Sequence, residues 1–446
     1  MSETLKEYWK TMNSAFLEQM KELLKDEYPS YIAAVSEPAK QGLRVNTLKA
    51  DVSEITDLLK ERLVPSAFSA NGFYFDKPTG FGLSPAARSG IVYMQEPSAS
   101  GAVTVLRPEK GMRVLDLCAA PGSKATQIAE YLGNDGLLVA NEYVSKRSLI
   151  LRENIISNGT SCALLLNSDT ADIAKHFHDY FDMVLCDAPC SGEGMFRKNE
   201  NAESEWSEEN VIHCAQRQKE ILHNAYLCLK KDGVLVYSTC TFNLCENEDT
   251  VKQFLTSHPD MVLEDPDVSF GRRSSILPET VRIFPMDGGE GHFIARMRKT
   301  SGTVSDVPGL KSEKIPSALL SQLHEIITVP YPYYYLKEGR LYGGSAPFVS
   351  AGKCRIVSHQ VYLGDWLKNR FVPSHHLFMS SWGGFAHTAE LDDQEADAYL
   401  RGDQIFRKGE KGYYAVCWHH HALGGAKSDG SVLKNHYPKN LRLRPR

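Results

Sequence analysis

Between residues 112 and 238 the chain alternates short, continuously apolar runs with amphipathic stretches, and few folds accommodate that pattern. The runs are MRVLDL (112–117), GLLVANE (136–142), CALLLNSD (162–169), FDMVLCDAP (181–189) and DGVLVYSTC (232–240). Between them lie SKATQIAEYL, SKRSLILRENIISN, a stretch around 170–178 and NVIHCAQRQKEILHNAYLCLK, each with helical spacing. Strands apolar on both faces and joined by helical crossovers predict a parallel, doubly wound α/β sheet. A later run, GEGHFIARMRK (289–299), reads as a strand closing the edge of that sheet.

The flanks read differently. Residues 1–30 place Tyr8, Trp9, Met12, Phe16, Met20, Leu23 and Leu24 at helical spacing, with a break expected at Pro29. Strand-like pieces at 42–48 and 71–76 enclose a helical segment at 53–63, and a further helix is expected near 95–106, opened by Pro97. The polar, Pro- and Gly-marked stretch 300–320 is a linker candidate. The division expected is therefore an N-terminal α+β extension (1–105), the doubly wound domain (106–300), a linker with a first C-terminal module (301–385) and a last module (386–446).

At 446 residues the chain is long enough for several domains. No apolar run is long enough to span a bilayer and the first residues lack a signal-peptide core, so a cytoplasmic protein is expected. Ten cysteines without a CxxC pair read as thiols rather than a disulfide framework or zinc site. Two weak metal candidates, the Cys186/Cys190 spacing and the run His419-His420-His421, do not change the expectation of no metal; adjacent histidines in a strand would face opposite ways. The net charge of −5 argues mildly against a polyanion partner, but residues 401–446 carry ten Lys or Arg against three acids.

In a doubly wound sheet, ligands bind beyond the carboxyl ends of the strands. The first strand runs into Asp116-Leu-Cys118-Ala119-Ala120-Pro121-Gly122-Ser123-Lys124, which is neither GxGxxG nor a P-loop. A single Gly122 permits close backbone approach without a phosphate cradle, which suits S-adenosylmethionine. The second strand ends at Glu142, a carboxylate able to accept both ribose hydroxyls, and the third at Asp169, expected to meet an adenine amino group. Singly, such acids are more often turn formers or helix caps.

The fourth strand ends in Asp187-Ala-Pro-Cys190 and the fifth in Ser238-Thr-Cys240. Adenine amino-methyltransferases carry a Pro-Pro-aromatic turn at the former position; a cysteine there points to other chemistry. Carbon 5 of a pyrimidine becomes nucleophilic only after a thiolate adds at carbon 6, and a base must later take the carbon-5 proton. Two cysteines at adjacent strand ends supply a nucleophile and a base, in either assignment. Asp187 would hold ring N3 and the exocyclic amine, donating a proton if burial raises its pKa. Cys118, Cys162, Cys186, Cys214, Cys228 and Cys245 read as buried, inert thiols.

CAAPGSK (118–124), DAPCSGEG (187–194), STCTFN (238–243) and RIFPMDGGEGHFIARM (282–297) together resemble the NOL1/NOP2/Sun family of RNA cytosine-5 methyltransferases. The resemblance implies a Rossmann-like class I methyltransferase sheet, with Cys240 as nucleophile and Cys190 assisting release. It also implies S-adenosylmethionine contacts on Cys118 to Lys124, Glu142, Asp169 and Asp187. Ser123 stands where many members have Gly. The nearest subgroup is bacterial and modifies 16S rRNA; its N-terminal extension and C-terminal PUA-like module are similar to the flanks here. That implies RNA, as 16S rRNA or the 30S subunit, as partner, with the basic tail on its backbone. A tRNA substrate and a non-catalytic ribosome-assembly factor are the alternatives. DNA cytosine-5 methyltransferases use the Pro-Cys cysteine for attack; they carry a Glu-Asn-Val turn, not expected here, and no Thr-Cys motif.

Overall fold

The structure is a computed structural model that describes residues 12–443 apart from 60–62, 77, 79 and 199. The expected helix positions Tyr8 and Trp9 lie outside the described residues. The helix Ser14–Leu24 buries Phe16, Met20 and Leu24, and Asn13 caps it by accepting from the Ala15 amide at 2.9 Å. Pro29 does not break the helical run: it occupies the first turn of a second helix, Tyr28–Val35, where the missing N–H costs nothing.

Four strands, β1 (Gly42–Val45), β2 (Leu63–Pro65), β3 (Gly72–Phe75) and β4 (Val92–Gln95), form an antiparallel sheet in the order β2-β3-β1-β4. The central sheet takes β5 (Arg113–Asp116), β6 (Leu137–Asn141), β7 (Ala163–Leu166), β8 (Phe181–Asp187) and β9 (Leu229–Thr239) as parallel neighbours in the order β7-β6-β5-β8-β9. Their apolar runs are buried on both faces, as in all five residues of β6. The order reverses at β5, so the β5 and β8 carboxyl ends flank the switch-point crevice.

β10 (Met261–Glu264), β11 (Arg272–Arg273), β12 (Val281–Ile283) and β13 (His292–Lys299) complete that side. β13 runs antiparallel to β9 but does not close the edge, since β12 and β11 continue beyond it. β12 is only three residues and carries Arg282, buried because it pairs with Glu248 and donates to the Phe242 carbonyl at 2.6 Å. Three residues are too short a run to announce a strand.

Two smaller sheets follow. Tyr333–Lys337, Arg340–Gly344, Val361–Leu367 and Arg370–Pro373 form an antiparallel meander, while Ile356–Ser358 leaves it to pair with β7 on the far edge of the central sheet. The last sheet joins Thr388–Leu391, Gly412–Trp418, His421–Ser428, Val432–Asn435 and Ile405–Phe406. His419 and His420 are its hairpin turn, both at positive φ (44° and 64°), and not strand residues. His421 is drawn away to Glu54 at 2.7 Å, so the three imidazoles do not converge. The first and last sheets share one apolar core that includes Val45, Ile55, Phe75, Tyr399, Val416 and Trp418.

Candidate active site

The loop after β5 turns through a cis Ala120–Pro121 bond and Gly122 (φ 118°) into the helix Ser123–Leu132. Leu151 and Asn154 crowd Gly122, where a Cβ would meet them at 3.2–3.3 Å. The loop is tied from outside: Arg147 donates to the Ala120 carbonyl at 2.7 Å and Asn154 to that of Pro121 at 2.8 Å. Glu142 follows β6 directly, buried, and accepts from the Val144 amide at 2.7 Å. Asp169 lies three residues past the end of β7, exposed, and caps the helix Thr170–His176 by accepting from Ala171 at 2.9 Å. Its helix-cap role is thus real; a contact with adenine would be additional.

Lys124 reaches across the crevice to Asp187, Nζ to Oδ2 at 2.8 Å, and Ser238 donates to Asp187 Oδ1 at 2.6 Å. Burial would raise the Asp187 pKa, but the Lys124 charge and these hydrogen bonds carry it below the usual carboxylate range. Asp187 is therefore ionised and an acceptor only, which corrects the proton-donor role expected above. Burial would likewise lower Lys124, yet Asp187, Cys240 and Asp116 hold it protonated with a raised pKa. Buried His292 stays neutral, pushed down to about 4 by burial and then by Lys124.

The Cys190 and Cys240 sulfurs lie 3.3 Å apart, too far for a disulfide and close enough to share a proton. The hydrogen bond to Cys240, then burial, push the Cys190 thiol well up. Of the other thiols, Cys162, Cys186, Cys214 and Cys228 are buried as expected, whereas Cys118 and Cys245 are half-buried.

Two acids that the sequence reading missed hold the two loops in place. Glu246 accepts from the Ser191 amide (3.0 Å), Gln218 Nε2 (2.7 Å) and Asn243 Nδ2 (2.7 Å), lacing the Pro-Cys turn to the segment after Cys240. Glu193 accepts from the amides of Phe242 (2.6 Å) and Asn243 (2.9 Å), from Trp206 Nε1 (3.0 Å) and from Gln19 of the first helix (3.0 Å). Gly194 permits this approach: a Cβ there would lie 3.0–3.1 Å from the Gly291 and Cys240 carbonyls. The only local signal was the SGEG stretch itself. The tripeptide Glu209-Asn210-Val211 does occur, against expectation. It forms the first turn of the helix Glu208–Cys228, with Asn210 capped by Ser207 at 3.1 Å, rather than a turn at the sheet edge.

The crevice suits a cationic nucleoside. Glu142 and Asp187 line it with carboxylate, and Asp116, its pKa pushed up to about 8, adds a carboxyl whose two oxygens, like the Ser123 hydroxyl, are buried without a well-formed partner. The doubly wound sheet with this crevice defines a class I methyltransferase, with S-adenosylmethionine as methyl donor. A family model for 16S rRNA methyltransferase RsmB/F matches residues 103–298; those for the RsmF N-terminal domain and the methyltransferase RsmF PUA domain match 12–97 and 386–443. The ribosomal RNA small subunit methyltransferase F of Erwinia tasmaniensis is 32% identical over 460 residues, and that of Salmonella arizonae 31% over 459; each match covers 96% of both chains. A methyltransferase homolog from Pyrococcus horikoshii is 26% identical with a TM-score of 0.59, over 67% of this chain and 100% of its own. The Pyrococcus horikoshii NSun6 structure with SFG is 23% identical with the same TM-score, over 66% and 100%, and shows the shared fold. The chain belongs to the 16S rRNA methyltransferase RsmB/F family, and its PUA module makes RNA its partner.

Proposed function

We propose that the chain methylates carbon 5 of a cytosine in 16S rRNA, with Cys240 as nucleophile and Cys190 as base. The observation that carries the reading is the pair of sulfurs 3.3 Å apart beside the Asp187–Lys124 pair. S-adenosylmethionine, held by the 118–124 loop, Glu142, Asp169 and Asp187, supplies the methyl group. The Cys240 electron pair adds to carbon 6, breaking the C5–C6 π bond and making carbon 5 nucleophilic. Ionised Asp187 accepts from the exocyclic amine and orients the ring. After methylation a base removes the carbon-5 proton, the double bond re-forms and Cys240 leaves.

The Cys190 environment supports this order. Its pKa is raised most by the hydrogen bond to Cys240 and, after burial, by the Cys240 charge. Once the Cys240 sulfur is bonded to carbon, both of those causes are gone. Half-buried Cys190 then gives up its proton more readily and is free to take the one on carbon 5.

The 16S rRNA substrate is supported by the near full-length match to relatives named for the small subunit. With it go the four-part division of the chain at 105, 300 and 385 and a cytoplasmic site of action; no described helix is long and apolar enough to cross a membrane. The test is a mutant pair incubated with RNA and methyl donor. Cys190→Ala should accumulate a covalent protein–RNA adduct, and Cys240→Ala should be inactive without one. The reverse pattern would exchange the roles, and bisulfite mapping that finds the mark only in tRNA would move the substrate.

A further inference from the structure

All four parts of the chain meet around one cavity of about 920 Å³, away from the cysteines. Its wall includes Arg88 and Tyr93 from the first unit, Arg152 and Asn154 from the helix Ser145–Asn158, Arg340 and Tyr342 from the third and Tyr437 from the last. Pockets that seat a drug-sized ligand span roughly 300–1,000 Å³, so there is room for more than one nucleotide unit.

The wall is cationic, and apart from the bond from Arg340 to the Tyr342 hydroxyl its arginines keep donors to spare. Among the described residues, Arg88, Arg152 and Arg340 form no ion pair, although Arg88 and Arg152 each bury an Nε without a partner. His376, also on the wall, accepts from the Tyr362 amide at its Nδ1 (3.2 Å), so its proton is on Nε2, buried and likewise unpartnered. Burial first, and then His375, Arg152 and Lys49, depress the His376 pKa to about 3, so the ring is a neutral donor. Lys49, behind the wall rather than on it, bonds only carbonyls, those of Ser89 and Ser157, both at 2.8 Å, and burial pushes its pKa down to about 7. The acids on the wall are Glu153, which is exposed, and Asp365, which is engaged by Tyr362. The cavity also adjoins the cofactor loop, because Asn154 bonds both the Pro121 carbonyl and, at 3.4 Å, the Tyr93 hydroxyl.

Arginines beside tyrosine rings are the chemistry that receives single-stranded RNA, with phosphate on the guanidinium and base on the ring. We propose that this cavity is a second RNA-contact site, which seats an unpaired nucleotide of the substrate distant from the target cytosine, its phosphate on Arg152 and Arg340 and its base among Tyr93, Tyr342 and Tyr437. The proposal rests on the RNA-methylation reading.

The test uses the full chain with 16S rRNA fragments and compares wild type with Arg152→Gln, Arg340→Gln and the double variant, each first shown to melt as wild type and to bind S-adenosylmethionine with wild-type affinity. The double variant should bind RNA at least tenfold more weakly, lose about 1–2 from the slope of log affinity against log salt, and raise KM for RNA more than it lowers kcat. In wild type, ultraviolet cross-linking should join RNA to peptides containing Tyr342 or Tyr437. Unchanged RNA affinity and salt slope would overturn the proposal. So would saturation of the cavity by free AMP or pyrophosphate, seen as a melting shift lost in the double variant, without any RNA cross-link there; that would assign a small anion instead. If wild type itself methylates no RNA, the failure belongs to the functional reading and not to the cavity.

Discussion

Asp116 ends β5 inside the crevice with both carboxylate oxygens buried. Burial, then the Asp187 charge, push its pKa up to about 8, and Lys124 and the Cys118 amide only partly offset them. In the unfolded chain an aspartate titrates near roughly 3.9. Between about pH 4 and pH 8 the folded chain therefore holds a proton that the unfolded chain has released, and the contribution of this group to stability falls as pH rises through that window. Asp116→Asn removes the titration while keeping the shape. The melting temperature of wild type without ligand should decline from pH 6 to pH 8.5 more steeply than that of Asp116→Asn, as followed by differential scanning fluorimetry. Parallel curves would mean that the carboxyl is already ionised in the fold. The same crevice shows what a sequence withholds at this scale: Asp187 and Lys124 stand 63 positions apart, and their 2.8 Å contact reverses the protonation state that burial alone led us to expect.

At the scale of elements, Cys190 and Cys240, the cysteines proposed for catalysis, sit on two loops that have no regular structure of their own, and Glu246 joins them together with Glu193. Replacing Glu246 with alanine strands the buried Ser191 amide and one N–H of buried Gln218, whose other bond to the Pro189 carbonyl stays, while Asn243 keeps Thr241 and Glu193 as acceptors. Each stranded donor costs about 1–3 kcal/mol, less whatever water can enter the space, so Glu246→Ala should lose roughly 3 kcal/mol in urea unfolding. Methylation should fall further than cofactor affinity, because the two sulfurs lose their register while the 118–124 loop does not. A variant with wild-type stability would show that the loops hold themselves.

The parallel sheet, and the two cysteine-bearing loops at its carboxyl edge, were legible because strand burial and motif spacing are local in sequence. β12 was not, since its Arg282 is tolerated only through Glu248, 34 residues away. Nor was the real charge of the last module. The basic count that began at Arg401 cut through the helix Asp393–Arg401, whose Glu395 and Asp397 pair with Arg407 and Arg401. Over residues 386–446 ten basic residues face eight acids, so the tail is close to balanced, while Arg88, Arg152 and Arg340 gather on the wall of the cavity where the units meet.

At the scale of the molecule, the first and last units are not independent attachments. Leu43, Ile55, Phe73 and Phe75 of the first share a core with Leu391, Tyr399, Leu400 and Trp418 of the last, and His421 bonds Glu54 across it. The two ends of the chain thus close on each other over the catalytic domain, and the cavity with its arginines exists only while they do. Ending the chain after Phe385 would expose apolar side chains that are now buried, and a contiguous patch of that kind favours aggregation. If the PUA module were a detachable RNA handle, the truncated chain would melt like wild type and lose only RNA affinity. The shared core requires a different outcome: a melting temperature several degrees lower, increased dye binding to exposed apolar surface, and a smaller, secondary loss of S-adenosylmethionine affinity, since Asn154 and Tyr93 reach the cofactor loop from that side. Calorimetry of the two chains separates the cases, and a single unfolding transition in wild type against a split or lowered one in the truncation would show the ends folding as one unit.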